Sequence, residues 1–307
     1  MNLYNDYNSY LRTKYGTKVY RIGIDAGFTC PNRDGSKGTG GCLYCGEGGS
    51  RSSYTDPDSS VTKHIADRIE YLRKSRDAKK FIAYFQAFTN TYAEYEKLKE
   101  VYDSVLPFDD IVGISIGTRP DCVDAERLKL ISSYLDKREV WIEYGLQSAS
   151  DRTLKNMNRA HTSDDFVKAV TLTKKFGIKV CAHVILGLPG EKREDIMNTA
   201  GVLTKIRVDG VKIHSFHILK GSALEGLYLA GSVSIPEENE YVKMACDLLE
   251  NIPRDVIIQR LTGQGSGSGH IAPSWALDKT RVIRKIEERL RSRGGSQGRC
   301  VQKNIIS

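Results

Sequence analysis

The chain has 307 residues, of which 40% are hydrophobic and 27% charged, with a formal net charge of +8. That balance describes an ordinary soluble protein large enough for one barrel-sized core, and it excludes a helical membrane protein, because no apolar run approaches the roughly twenty residues needed to span a bilayer. The first residues lack a basic stretch followed by an apolar one, so no signal peptide is expected and the expected location is cytoplasmic. Seven cysteines is an odd count. Four of them (Cys122, Cys181, Cys246 and Cys300) stand singly, which does not read as a disulfide framework. The positive charge suits a polyanion such as RNA without proving that one binds.

The chain divides into an N-terminal arm (1–20), a central α/β domain (20–275) and a C-terminal basic helix and tail (276–307). In the arm, Tyr4, Tyr7, Tyr10, Tyr15 and Tyr20 alternate with Arg12, Lys14 and Lys18. Such a pattern either stacks on nucleic acid or packs its rings over the end of a barrel. A short strand from Tyr20 then delivers the chain into a loop running from Cys30 to Cys45 with spacing C-x11-C-x2-C. The residues between the thiols are mostly glycine, small polar or charged, and predict no packed element. Beyond the loop, Val61, Ile65, Ile69 and Leu72 fall at helical spacing. Strands follow at 81–86, 111–117, 140–146, 178–186 and 211–219, with helices between them; Asp124 is the expected N-cap of the one carrying Leu128 and Ile131. Val256–Leu261 adds a seventh strand, Gly263–His270 reads as a linker-like loop, and a helix over about 277–291 precedes a tail expected to be disordered from Gly294.

Regular alternation of strand and helix predicts a parallel sheet curled into a partial (β/α)6 TIM-like barrel with N- and C-terminal extensions. In such barrels the reactive face carries the C-terminal ends of the strands. The cysteine loop, Gln86, Thr118, Gln147, Gly187–Gly190 and Lys220 all fall there. Three thiols in one loop are soft ligands for zinc or an iron–sulfur cluster. A zinc site wants a fourth ligand, and His64 and Cys122 lie outside the loop. A three-cysteine 4Fe–4S cluster leaves one iron open, and the polar residues converging from six strands fit a cosubstrate laid across the barrel mouth.

These motifs resemble the radical S-adenosylmethionine (radical SAM) superfamily over about Tyr20 to Trp275. The cysteine loop, with Tyr44 just before its last thiol, resembles the superfamily's cluster motif with an x11 gap wider than its commonest form, while Glu143–Ser148, Asn158–Thr162 and His183–Gly190 are similar to the branch of the Elongator catalytic subunit. Tyr84–Thr91 and Lys212–Gly221 resemble the bacterial YtqA/YhcC-type group within it. The resemblance implies a 4Fe–4S cluster on Cys30, Cys42 and Cys45 and reductive cleavage of S-adenosylmethionine to a 5′-deoxyadenosyl radical. It further implies Tyr44 near the adenine, and Gln86 where many relatives hold the methionine amino group with a Gly-Gly-Glu motif that this chain lacks. Gln147 and Arg159 are candidate contacts to the methionine end, because an amide accepts from an ammonium and a guanidinium pairs with a carboxylate. Ser115 and Thr118 are ribose candidates, while His183, His214 and His217 are given no catalytic role. The branch implies a tRNA substrate, namely conversion of 5-carboxymethylaminomethyluridine to 5-aminomethyluridine, and an electron donor such as flavodoxin or ferredoxin. A porphyrin precursor as substrate, and a zinc-dependent RNA-binding protein without catalysis, are the alternatives.

Overall fold

The computed structural model describes residues 2–46, 48, 49, 59–263 and 269–301. Seven strands form one parallel sheet: β1 (Val19–Ile24), β2 (Lys80–Phe85), β3 (Ile111–Thr118), β4 (Glu139–Gln147), β5 (Lys179–Leu186), β6 (Gly210–Ser215) and, after a short β7 (Ile218–Leu219), β8 (Ile257–Arg260). Their order in space is their order in sequence, with β8 beside β6, so the sheet curls as a half-barrel. β4 sits at its middle, with all but its terminal residues buried. Strands enclosed on both faces read as continuous apolar runs, and this is why the 111–117 and 140–146 segments stand out by composition.

A helix α1 (Tyr7–Tyr15) precedes the sheet, and helices α2 (Val61–Arg76), α3 (Tyr95–Asp103), α4 (Ala125–Ser132), α5 (Asp151–Asn156), α6 (Ser163–Lys174), α7 (Arg193–Lys205), α8 (Leu224–Leu229), α9 (Glu238–Glu250) and α10 (Lys279–Ser292) follow in chain order. Local signals start them. Ser60 and the expected Asp124 accept from backbone N–H groups in the first turns of α2 and α4, and Thr162 with Asp165 closes a capping box on α6. The core lies between these helices and the outward strand face, around Ile116, Ile142, Tyr144, Phe166 and Leu248.

Two expectations change and one open alternative is decided. The run 211–219 is two strands, because the chain leaves the barrel at Phe216, whose N–H donates to the Leu186 carbonyl at 2.9 Å, and β7 then pairs antiparallel with β9 (His270–Ala272). The described part of the tail, 294–301, is packed: Gln297 is 2% exposed, accepts from the Asn5 N–H at 2.9 Å and donates to the Pro253 and Val256 carbonyls. Of the two readings of the arm, the packed one is found, with its rings beneath the barrel. Tyr10 donates to Glu139 at 2.8 Å, Tyr7 meets Trp141 edge-on, and Lys179 lies over the Tyr10 ring. Glu139 and Lys179 open β4 and β5, so these rings occupy the end of the barrel opposite the cysteine loop. The expected loop at 263–270 falls largely outside the described residues.

Candidate active site

At the C-terminal end of the sheet lies a cavity of about 240 Å³, with Cys30, Cys42, Tyr44 and Cys45 on one wall and Gln86, Thr118, Gln147 and Arg159 on others. Elements from β1 to β6 therefore bring together every expected site residue except one. Ser115 is fully buried in mid-β3 and forms no part of the cavity wall, which leaves Thr118 as the ribose candidate. The Thr118 hydroxyl is 2.6 Å from that of Thr91.

The cysteine loop is more packed than its composition suggests. Asn32 is fully buried, donates to the Asn158 carbonyl at 2.5 Å and stands 3.7 Å from the Cys42 sulfur. Asn158 returns a bond to the Gly41 carbonyl at 2.8 Å, and the Leu43 N–H donates to the Met157 carbonyl. Arg33 ties the other end by donating to the carbonyls of Cys45 and Gly46 at 3.2 and 2.6 Å. Gly41 has φ +77°, and a β-carbon there would lie 2.9 Å from the Arg33 Nε, so this turn needs glycine twice over.

The 158–160 turn that anchors the loop is itself under strain, with Asn158 and Ala160 at φ +51° and +54°. Arg119, 2% exposed, holds it by donating to the Arg159 and Ala160 carbonyls while pairing with Asp121 through two bonds of 2.9 Å. The turn aims Arg159 across the cavity. Its guanidinium donates to the Cys42 sulfur at 3.4 Å and to the Gly145 carbonyl at 2.8 Å. A β-carbon on residue 145 would fall 2.5 Å from Arg159 Nη2 and 2.7 Å from Gln147 Nε2, so glycine is what lets both side chains lie over β4. Burial opposes ionisation of the Cys42 thiol, but Arg159 and then Arg119 prevail and lower its pKa, whereas burial raises that of Cys45.

Deeper in the barrel the cavity ends on Tyr84, Glu143, His183 and His214. His183 donates to Glu143 at 2.8 Å, Lys212 pairs with the same carboxylate, and Arg21 approaches its other oxygen at 3.7 Å. Burial works against the charge on Glu143, yet Lys212, Arg21 and His183 hold it well below the usual carboxylate range. Burial lowers His183 to about 4 and His214 well below its ordinary value, so both imidazoles are neutral at pH 7. In the sequence these residues stand only as motif letters. The available signal is charged residues at inward positions of three neighbouring strands.

Among the described residues, no three His, Cys, Asp or Glu side chains group closely enough to hold a single metal ion. The three thiols instead line one cavity, and N–H groups of Asn32 and Arg159 point at the Cys42 sulfur, an environment suited to thiolates of a cluster. The Radical SAM superfamily profile matches residues 33–203, and the Radical_SAM C-terminal domain profile matches residues 208–292. The chain belongs to the radical SAM superfamily. This enzyme family uses a 4Fe–4S cluster and S-adenosylmethionine, so the zinc reading gives way. The radical SAM chain is 39% identical to Bacillus subtilis YtqA over 98% of its own length and 93% of that protein, and 34% identical to Escherichia coli YhcC over 95% and 94%. Its fold matches that of an archaeal Methanocaldococcus infernus Elp3 with a TM-score of 0.64 at 20% identity, over 92% of this chain and 65% of that one. In sequence the chain is also 25% identical to human Elongator complex protein 3 over 69% of its own length and 46% of that protein, and with the YtqA and YhcC matches this supports the Elongator-like branch expected from the motifs.

Proposed function

We propose that this radical SAM enzyme holds its cluster on Cys30, Cys42 and Cys45 and acts on the wobble uridine of tRNA, converting 5-carboxymethylaminomethyluridine to 5-aminomethyluridine in the cytosol. The observation that carries the reading is the single cavity in which three thiols face Gln86, Thr118, Gln147 and Arg159, with Arg159 spanning from Cys42 to β4. When bound, the reduced cluster and S-adenosylmethionine supply a 5′-deoxyadenosyl radical, with flavodoxin or ferredoxin as electron donor. The chain's own part is to bind and orient. Arg159 offers a cation to the methionine carboxylate, Gln86 and Gln147 offer amide oxygens to its ammonium, Thr118 bonds the ribose, and Tyr44 packs against the adenine. The curled sheet shields the reacting carbon from water on its inner side.

The tRNA assignment is supported by the resemblance to the Elongator branch and by the net charge of +8. Two measurements test the proposal in separate halves. Anaerobically reconstituted protein is expected to carry about four irons and four sulfides. Replacing any one of Cys30, Cys42 or Cys45 by alanine abolishes the cluster absorbance, while Cys122→Ala, Cys181→Ala, Cys246→Ala and Cys300→Ala retain it. Stoichiometric zinc in place of iron would overturn this half. Nucleoside mass spectrometry of tRNA from a deletion strain is expected to show 5-carboxymethylaminomethyluridine accumulating; an unchanged profile removes the substrate and leaves the radical chemistry.

A further inference from the structure

The deep end of the cavity carries a charge imbalance that cluster and cosubstrate do not explain. Among the described residues Glu143 is the one carboxylate there, 1% exposed, and it faces Lys212, also 1% exposed, and Arg21. The remaining charged or titratable groups packed around Lys212 are Arg260 from β8, Tyr84 from β2, Cys181 and His183 from β5 and His214 from β6. None of these is an anion at neutral pH. Buried Lys212 and Arg21, the latter with a side chain 24% exposed, therefore share this one buried anion, and a charge left uncompensated in a low-dielectric interior is unfavourable.

Two further observations point into the cavity. His214 lines it with an Nε2 that is buried and has no hydrogen-bond partner among the described residues, its ring 5.3 Å from that of His183. His183 spends Nε2 on Glu143, which fixes the ring against β4. Beneath the imidazoles the Lys212 ammonium lies 4.1 Å from the Tyr84 ring centroid, and Arg21 stacks 5.3 Å from the same ring. The floor thus offers N–H donors backed by excess positive charge.

We propose that this floor is a specificity subsite for a carboxylate borne by the substrate, held by His214 and neutralised through space by Lys212 and Arg21. The carboxylate supplies the missing charge, and His214 supplies the directional bond. The inference deepens the tRNA reading, since the proposed substrate differs from its product by a carboxymethyl group, but the charge count and the geometry hold for any substrate of this class. Lys212 is the member able to respond to occupancy: burial and then Arg21, acting against Glu143, bring it down to about 7. An anion in the subsite favours its protonated form, so anion affinity is greatest below pH 7 and falls as pH rises through it.

A test independent of RNA uses the reconstituted holoprotein with acetate alone as probe and acetamide as its uncharged isostere, at matched chloride. Acetate is expected to raise the thermal midpoint saturably at pH 6, more weakly at pH 8, while acetamide does not. The acetate response is lost in Lys212→Met, in which Glu143 keeps Arg21 and His183, and in His214→Phe. Equal responses to acetate and acetamide, no acetate response in the wild type, or a response retained in both variants would overturn the subsite. A second arm compares anticodon stem-loops carrying the carboxymethylaminomethyl side chain or its methyl ester as stimulants of 5′-deoxyadenosine formation. The acid is expected to be preferred at least ~10-fold in kcat/KM, in line with the strength of charge-assisted hydrogen bonds. If neither RNA stimulates the reaction while acetate still binds as described, the tRNA reading fails and the subsite stands. If acid and ester stimulate equally, the subsite fails and the tRNA reading stands.

Discussion

Arg159 links the thiol wall to the sheet, and its two bonds separate two tasks. The one to Cys42 places an N–H donor on a sulfur that we propose as a cluster ligand, and donors of that kind raise a cluster's reduction potential. Arg159→Met is therefore expected to leave iron and sulfide content intact and to shift the potential to more negative values in a spectroelectrochemical titration. It should also weaken S-adenosylmethionine binding by roughly 10- to 100-fold, the usual cost of losing a hydrogen bond to a charged group. Gly145→Ala should give the same pair of effects in weaker form, since its methyl group would displace the guanidinium without removing it. Unchanged potential and affinity in both variants would mean that Arg159 only props the turn.

Between elements, the junction of β4 with α7 shows how a buried carboxylate ties two loops at the barrel mouth. Ser148, just beyond β4, donates to Glu191, just before α7, and burial raises the Glu191 carboxyl from 4.5 to about 7. The folded state thus binds this proton more tightly than the unfolded chain, so the stabilisation is complete below about pH 4.5 and is lost as pH rises through 7. Glu191→Gln, which keeps an acceptor for Ser148, should stabilise the protein at pH 8 by up to about 3 kcal/mol, since each tenfold difference in proton affinity is worth about 1.4 kcal/mol. It should change little at pH 5, and urea midpoints at the two pH values measure the difference. At this scale the sequence is most legible: periodicity and caps locate the helices, and the apolar runs locate the strands. It is least legible where tertiary contacts override local pattern. The 211–219 run alternates like one strand, yet its last two residues pair with β9, and a cysteine loop rich in glycine buries Asn32 because a partner turn over a hundred residues away accepts its amide. Glu143, Lys212 and Arg21 are visible as letters, but only the curl of the sheet makes them neighbours.

For the whole molecule, the placement of basic segments decides where RNA can meet it. The arm lies under the barrel, and several α10 cations are already paired: Arg281 and Lys285 with Glu238, Arg284 with Glu288, Arg291 with Glu287 and Arg293, just past the helix, with Asp247. Among the described residues no helix is long and apolar enough to cross a membrane. Tyr7→Ala removes a ring that is 6% exposed, stacked on Tyr10 and covered by Arg21 at 4.7 Å. It should cost about 3 kcal/mol in urea denaturation and leave the salt dependence of tRNA binding unaltered; a shallower salt slope would place the arm in the RNA interface after all. The two ends of the chain meet at the same edge strand: the Ile258 N–H donates to the Asn5 carbonyl at 2.7 Å, and Gln297 clasps Asn5 from the other side. A ribosome releases Cys30 to Cys45 and the Asn158 turn well before it releases β8, and Gln297 later still. In the growing chain every residue of the thiol wall is thus made while the flank of the barrel still lies open, and its enclosure waits for Gln297.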